Sequence, residues 1–361
     1  MKLTAKVKLQ TTQEQKNSLL RTLEISNEAC NYISSIAWET RTFGKFPLQK
    51  LVYSDVRKSF SLSAQLAIRC IAKVANAYRN DKKIKRVFKS NGSIAFDSRI
   101  LLFRMDKCTV SIWTVDGRLK HVPFSVSTNA KALLLGSRGE SDLLLVKGEF
   151  YLATSCEFDE PAVSSAEDIL GVDMGIVNVA VDSDKQIFSG KAINNVRFRH
   201  RRLRTKLQKL GSKSSRRKLR RLSGKERRFT KDANHQISKA IVKKAKDTGR
   251  AIAIEELGGI RDGKQFRKPQ RVQLHSWSFF QLRTYIEYKA KLVGVYVYHV
   301  DPRNTSRTCP CCSHIDKANR KTQAVFLCVD CGFSGLADHV AAMNIRSRAL
   351  LSVPNVSTDS I

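Results

Sequence analysis

The chain has 361 residues, enough for two or three domains and at least one sizeable core. Its 65 Lys and Arg against 32 Asp and Glu give a formal charge of +33, far beyond what solubility requires, so a polyanionic partner is expected. We find no signal peptide, bilayer-length apolar run or terminal lipidation motif, which sets a membrane partner aside in favour of nucleic acid and a cytoplasmic setting.

Met1 to Leu9 alternates Lys2, Thr4, Lys6 and Lys8 with Leu3, Ala5, Val7 and Leu9, the pattern of a half-buried strand. Thr11 or Thr12 can cap a helix running to about Thr40, and a second helical stretch spans about Ser63 to Lys83. Between Ser93 and Glu157 short alternating runs appear at Cys108–Val115, Gly117–Phe124, Ser141–Lys147 and Glu149–Cys156, with turns at Asp116-Gly117 and Lys147-Gly148. A small antiparallel barrel or sheet, completed by the first strand and interrupted by a helical insert, fits these runs. Tyr78 beside Arg79, and Phe88 between Arg86 and Lys89, are read as core residues in preference to base-stacking ones.

A linker at Asp159 to Ser165 marks a domain boundary. Beyond it Ile169 to Val181 reads as a central buried strand carrying Asp173, with Gly175 allowing close backbone approach. Arg197 to Lys231 holds 17 Lys/Arg and one acid, Glu226; its leucines Leu203, Leu207, Leu210, Leu219 and Leu222 give the apolar edge of a basic helical hairpin broken near Gly211. Such an excess of one sign repels itself without a polyanion. Arg201, Arg202, Arg204, Arg216, Arg217, Arg220, Arg221, Arg227 and Arg228 are therefore the candidates for nucleic-acid backbone contact.

Ala251 to Leu257 is a second buried strand ending in acids, Glu255 and Glu256. Trp277 and Phe279-Phe280, in a helix after Gln273, are read as packing on the sheet. Cys309-x2-Cys312 and Cys328-x2-Cys331, fifteen residues apart, have the spacing of two thiolate turns closing a tetrahedral site for a zinc-sized ion; unligated thiols or two disulfides are the competing reading. Gly332 suits a left-handed knuckle position, and Phe326 and Phe333 can pack beside it. Cys311 is a bystander, and His314, a possible substitute ligand, is read as an ordinary loop histidine because four thiolates already fill the tetrahedron. Cys30, Cys70, Cys108 and Cys156 are scattered, as in a reducing cytosol. Asp338 then opens a helix with Ala341, Ala342 and Ile345 at helical spacing. Two strand-end carboxylates and one helix carboxylate can converge on a pair of divalent ions, which neutralise their mutual repulsion and drive phosphodiester cleavage.

Taken together, Asp173 to Gly175, Arg228-Phe229, His235 to Lys239, the strand ending at Glu255, Val300-Asp301-Pro302, Thr305-Ser306, the cysteine quartet and Asp338 with Asn344-Ile345 resemble the RuvC-like core of transposon-encoded TnpB proteins and the related compact type V CRISPR effectors. The resemblance covers about 190 residues of the second half, and the first half only in its plan. It implies an α+β multidomain protein: a β-barrel wedge domain (1–10 and 94–160) with a helical recognition domain (11–93), then an RNase H-like RuvC nuclease domain (166–350) carrying a zinc-ribbon insertion (306–334), and a flexible tail (351–361). It further implies an RNA-guided, transposon-associated DNA endonuclease, with guide RNA and a duplex and unwound DNA target as partners. Asp173, Glu255 and Asp338 would hold two Mg²⁺ ions, with Glu256 as second choice for the middle acid, and Cys309, Cys312, Cys328 and Cys331 would hold Zn²⁺. The family usually has Asn two residues after the last Asp. Here Val340 stands there, so a supporting hydrogen bond is expected to be missing. A CRISPR-associated nuclease, a cleavage-inactive RNA-guided repressor and a DNA-joining transposase are the alternatives.

Overall fold

The computed structural model describes residues 1–163, 166–256 and 279–352. Two compact units divide at Asp159 and Glu160.

In the first unit β1 (Lys2–Leu9) turns Ala5, Val7 and Leu9 inward and leads to Thr12, which caps α1 (Gln13–Glu39) reciprocally with Gln15. Two more helices follow, α2 (Lys45–Phe60) and α3 (Ala64–Asn80), the latter capped by Ser63. The expected helical insert thus has three helices. Helix α2 is additional to the two expected; its buried residues Leu48, Val52 and Val56 repeat every four residues among mixed polar and apolar neighbours. β2 (Ile94–Phe96), β3 (Leu101–Arg104), β4 (Thr109–Thr114), β5 (Gly117–Ser125), helix α4 (Thr128–Leu135), β6 (Ser137–Val146) and β7 (Glu149–Glu157) complete the unit. The strands form one antiparallel sheet in the order β2-β6-β7-β1-β5-β4-β3, so the first strand lies at its centre. Tyr78 is fully buried with its hydroxyl 2.9 Å from Ser34 Oγ, and the half-buried Phe88 packs against the same core under the Lys73 ammonium, in keeping with the core reading.

The second unit is built on a five-stranded sheet, order β10-β9-β8-β11-β12. The run from Ile169 to Val181 is not one strand. It folds back as a hairpin of β8 (Ile169–Asp173) and β9 (Asn178–Asp182), because the chain turns at Gly175, where a Cβ would come 2.7 Å from the Asn178 carbonyl oxygen. β10 (Ile187–Ser189) pairs with β9. Helices α5 (Lys191–Leu210), α6 (Lys213–Leu222) and α7 (Lys225–Asp247) follow, so the basic stretch is three helices where a hairpin was expected. Two breaks make the third: Gly211 and Gly224 have φ of 60° and 79°, a region that favours glycine.

β11 (Ala251–Glu255) lies parallel to β8 and to β12 (Val297–Val300), and α8 (Phe279–Leu292) precedes β12. The sheet is covered on both faces, which is why its strands read as continuous apolar runs. Leu170, Val172, Ile252 and Ile254 meet Ile241, Leu282 and Ile286 on one face, while Ile169, Ala251 and Ala253 meet Ile345 and Ala349 on the other. Each such isoleucine or leucine contributes on the order of 1.5–3 kcal/mol by leaving water. Gly171 lets the last helix, α9 (Ala337–Leu351), lie directly on β8, since a Cβ there would collide with the Arg346 backbone nitrogen at 2.7 Å. Phe279 is buried as expected, but Phe280 is 68% exposed, because adjacent helix positions point about 100° apart. Leu257, Gln273 and Trp277, the linker serines 164 and 165, and the tail beyond Ser352 lie outside the described residues.

Candidate functional site

Parallel pairing decides where the first two acids lie. Ile254 is opposite Val172, so Asp173 and Glu255 end neighbouring strands at the same sheet edge. Asp338 enters from the first turn of α9. Asp173 is ringed by protein although part of its surface stays open; burial first, then the charges of Glu255 and Asp338, push its carboxyl well above the usual range, with the Arg320 guanidinium opposing them. Glu255, 7% exposed, is also pushed up by burial and held back by the Thr305 hydroxyl and by Arg348 and Arg320.

Three residues that the sequence reading assigned no role at these acids hold them in place. Thr305 donates its hydroxyl to Glu255 Oε1, and its own carbonyl accepts from Asn344 Nδ2 at 2.7 Å; the same amide reaches the Thr308 carbonyl at 2.7 Å. Asn178 Nδ2 donates to Asp338 Oδ2 at 2.9 Å. Arg320, from the segment between the cysteine pairs, brings Nη2 to 3.6 Å from Asp338 Oδ1. Val340 is fully buried against Phe326 and Ala337, so it packs, and the hydrogen bond to Asp338 comes from Asn178. No local signal announces these contacts, because each spans a long stretch of chain. A cleft of about 250 Å³ is lined by Asp173, Gly175, Asn178, Arg320, Asp338 and His339. Glu256 turns outward as strand alternation requires and is occupied by Arg283. Among the described residues, the acids are not gathered within 4.8 Å of one another as ligands of a single ion; only the cysteines are. A two-ion site needs a wider set, with its ions about 3.5–4 Å apart.

The cysteine quartet sits on a ribbon of β13 (Val325–Leu327) and β14 (Ser334–Leu336) with the loops before them. Sγ of Cys309 lies 3.6 Å from Cys331, and Cys312 lies 3.5 Å from Cys328. Four thiolates at about 2.3 Å from one ion would be about 3.8 Å apart, so the sulfurs fit such an ion and are not disulfides. At Cys328 burial opposes ionisation, but the backbone N–H groups of Cys331 and Asp330, together with the neighbouring thiols of Cys312 and Cys309, outweigh it and bring the thiol down to about 7. Gly332 takes φ 73°, Phe326 and Phe333 pack edge to face at 6.2 Å, and neither Cys311 nor His314 joins the cluster. Asn319, fully buried, ties the two knuckles: its Nδ2 reaches the Arg307 and His314 carbonyls and its Oδ1 the Val329 N–H. Arg320 is the next residue, so the ribbon aims it at the acids.

All nine candidate arginines are exposed: Arg201, Arg202 and Arg204 on α5, Arg216, Arg217, Arg220 and Arg221 on α6, and Arg227 and Arg228 on α7. Arg204 is partly engaged, with Nη2 at 2.5 Å from Glu226. No helix among the described residues is long and apolar enough to cross a membrane.

Residues 153–258 match the family model described as "Probable transposase", and residues 279–345 the one described as "Cas12f1-like, TNB domain". The chain is 31% identical to the CRISPR-associated endodeoxyribonuclease Cas12f1 of Sulfoacidibacillus thermotolerans, over 58% of this chain and 51% of that protein. It is 34% identical to the TnpB-like protein MJ0751 of Methanocaldococcus jannaschii, over 35% of this chain and 45% of the relative. The chain thus spans about half the length of the curated relatives it matches. In a cryo-EM structure of a Cas12f1–sgRNA–target DNA complex, the protein shares the fold with a TM-score of 0.58 at 18% identity, over 92% of this chain and 83% of that one. The resemblance to TnpB proteins and compact Cas12 effectors read from the motifs is borne out.

Proposed function

We propose that this protein is a transposon-associated, RNA-guided DNA endonuclease of the TnpB kind. The observation that carries the reading is the juxtaposition of Asp173 and Glu255 at one parallel-strand edge, with Asp338 close enough to raise the Asp173 carboxyl. In this reading residues 166–350 are a RuvC-like domain with its zinc ribbon at 306–334, residues 1–10 and 94–160 a barrel-like wedge domain, and residues 11–93 a recognition domain. The relatives support it through their names, which speak of an endodeoxyribonuclease, a TnpB-like protein and a complex with guide RNA and target DNA.

Asp173, Glu255 and Asp338 would hold two Mg²⁺ ions, a fit consistent with a buried carboxylate group whose repulsion calls for cations. When bound, such ions activate water and stabilise the leaving oxygen of a phosphodiester. The chain's own residues do the positioning: Thr305 holds Glu255, Asn178 holds Asp338, and Arg320 offers a guanidinium to a phosphate in the cleft. The four thiolates would hold one Zn²⁺, which braces the ribbon behind Arg320. The exposed arginines of α5, α6 and α7 grip the nucleic-acid backbone, while sequence choice is left to pairing with the guide.

The test is cleavage of a duplex matching the variable end of the co-purifying RNA, with Mg²⁺, by the parent and by Asp173→Ala. Parental cutting that disappears in the variant, with RNA binding retained, supports the reading. A parent that binds but never cuts leaves a guided repressor, and strand-transfer products in place of free ends indicate a transposase.

A further inference from the structure

The basic helices enclose a second cavity that the acid site does not use. About 580 Å³ in volume, it opens between α5, α6 and the start of α7, and its walls include Leu219, Leu222, His200, Arg204, Arg227 and Gln281. That volume falls in the range of about 300–1,000 Å³ typical of small-molecule sites. Glu226, the single acid of the stretch, holds the cavity together: it lies 2.5 Å from Arg204 and 3.7 Å from Arg197, tying α5 to the first turn of α7 where like charges would otherwise push the helices apart. Arg227, on the same turn, is exposed and has no carboxylate partner among the described residues. The His200 Nδ1 is buried with no hydrogen-bond partner among them, an uncommon condition for a polar atom.

The lining has two chemistries. The two leucines of α6, each half-buried, offer an apolar wall, while the rim carries guanidinium groups, an imidazole and an amide. A phosphate alone would not need the leucines, and an apolar ligand would not need the arginines. A nucleotide needs both: its base has an apolar face and hydrogen-bonding edges, and its phosphate is anionic. Bases stacked within a duplex cannot reach such a recess, so the strand must present one base turned out.

We propose that this cavity takes one unstacked nucleotide of a bound strand, its base against Leu219 and Leu222 and its phosphate at Arg204 and Arg227. The proposal goes beyond the backbone contact assigned to these helices and does not depend on cleavage.

It is tested with the full chain, freed of co-purified nucleic acid and without added Mg²⁺. Affinity is measured for a hairpin duplex with a single-nucleotide bulge and for the same hairpin without it, each made in RNA and in DNA. The parent should prefer the bulged form by about 5-fold or more, the effect of taking the apolar face of one base out of water against the two leucines. A preference confined to one sugar identifies the strand. Leu222→Trp fills the cavity without changing charge, so the preference should fall to about 1 while affinity for the unbulged hairpin and its salt dependence stay parental. Leu219→Trp, on the neighbouring turn, decides the matter if the first variant loses its parental melting temperature. A parent without bulge preference in either sugar overturns the proposal, as does a normally folded filled variant that keeps the preference.

Discussion

Replacing Thr305 by Val should weaken metal binding at the acids while leaving the fold intact. Thr305 is 2% exposed, and its carbonyl is fixed by Asn344, so its hydroxyl has little freedom to move away from Glu255. The hydroxyl has one proton and two acceptors in reach, the carboxylate and the Pro302 carbonyl at 3.0 Å; the carboxylate is the stronger acceptor. Valine keeps the shape and deletes the donor. Burial already raises the Glu255 pKa, and the Thr305 hydrogen bond is foremost among the effects opposing that rise, so its loss drives the pKa higher. Only the carboxylate binds a cation, so the acid limb of activity should move to higher pH. A hydrogen bond to a charged group contributes about 1.5–3 kcal/mol, which corresponds to about 10- to 150-fold in Mg²⁺ affinity. The assay is the Mg²⁺ concentration for half-maximal cleavage across a pH series, with Thr305→Ser as the control that restores the donor. If the valine variant matches the parent in both Mg²⁺ requirement and acid limb, the reasoning fails; if serine is as impaired as valine, Thr305 acts through packing.

Other outcomes follow from the same geometry. Asp173 has a native pKa above its unfolded value of about 3.9, so the native state retains a proton that the unfolded chain releases, and stability falls as pH rises from about 4 through the native pKa. Metal-free Asp173→Asn should therefore melt higher than the parent at pH 8, by about 0.5–2 kcal/mol in stability, with the gap closing near pH 4 and no gain from Mg²⁺; an equal gap at both pH values contradicts this. Lys244 Nζ lies 2.6 Å from Asp182, which is fully buried and otherwise held by the backbone N–H groups of Asp184 and Gln186. Lys244→Met should cost about 3–5 kcal/mol in urea unfolding, and adding Asp182→Asn should recover most of it; a loss below about 1 kcal/mol would show the pair to be unimportant. Cys328→Ser should lower bound zinc, measured by elemental analysis, from one ion per chain toward none, and expose the ribbon to proteolysis; undiminished zinc would remove Cys328 from the ligand set. Binding of unbulged duplex should fall by on the order of three decades between 50 and 200 mM salt, and a flat response would refute backbone contact by the arginines.

How much of this was legible in the sequence depended on the range of the interactions. The thiolate turns, the Thr12 cap, the alternation of β1 and the charge of α5 to α7 are set within a few residues, so spacing and composition announced them. The hairpin at Gly175 and helix α2 are local too, but their apolar patterns are short and ambiguous: the run from Ile169 to Val181 also fits a single strand, and α2 buries only Leu48, Val52 and Val56 at helical spacing.

The amino-acid sequence by itself determined which carboxylates, thiols and cations were available and on which kind of element each would stand. Only the tertiary structure decided that parallel register sets Glu255 beside Asp173, that Asn344 holds Thr305 against Glu255, and that the ribbon delivers Arg320 to Asp338. The physical reason is that hydrogen bonds and charges act through space over a few ångströms. Residues far apart in the chain come within that reach only after strand pairing and helix packing have fixed the backbone.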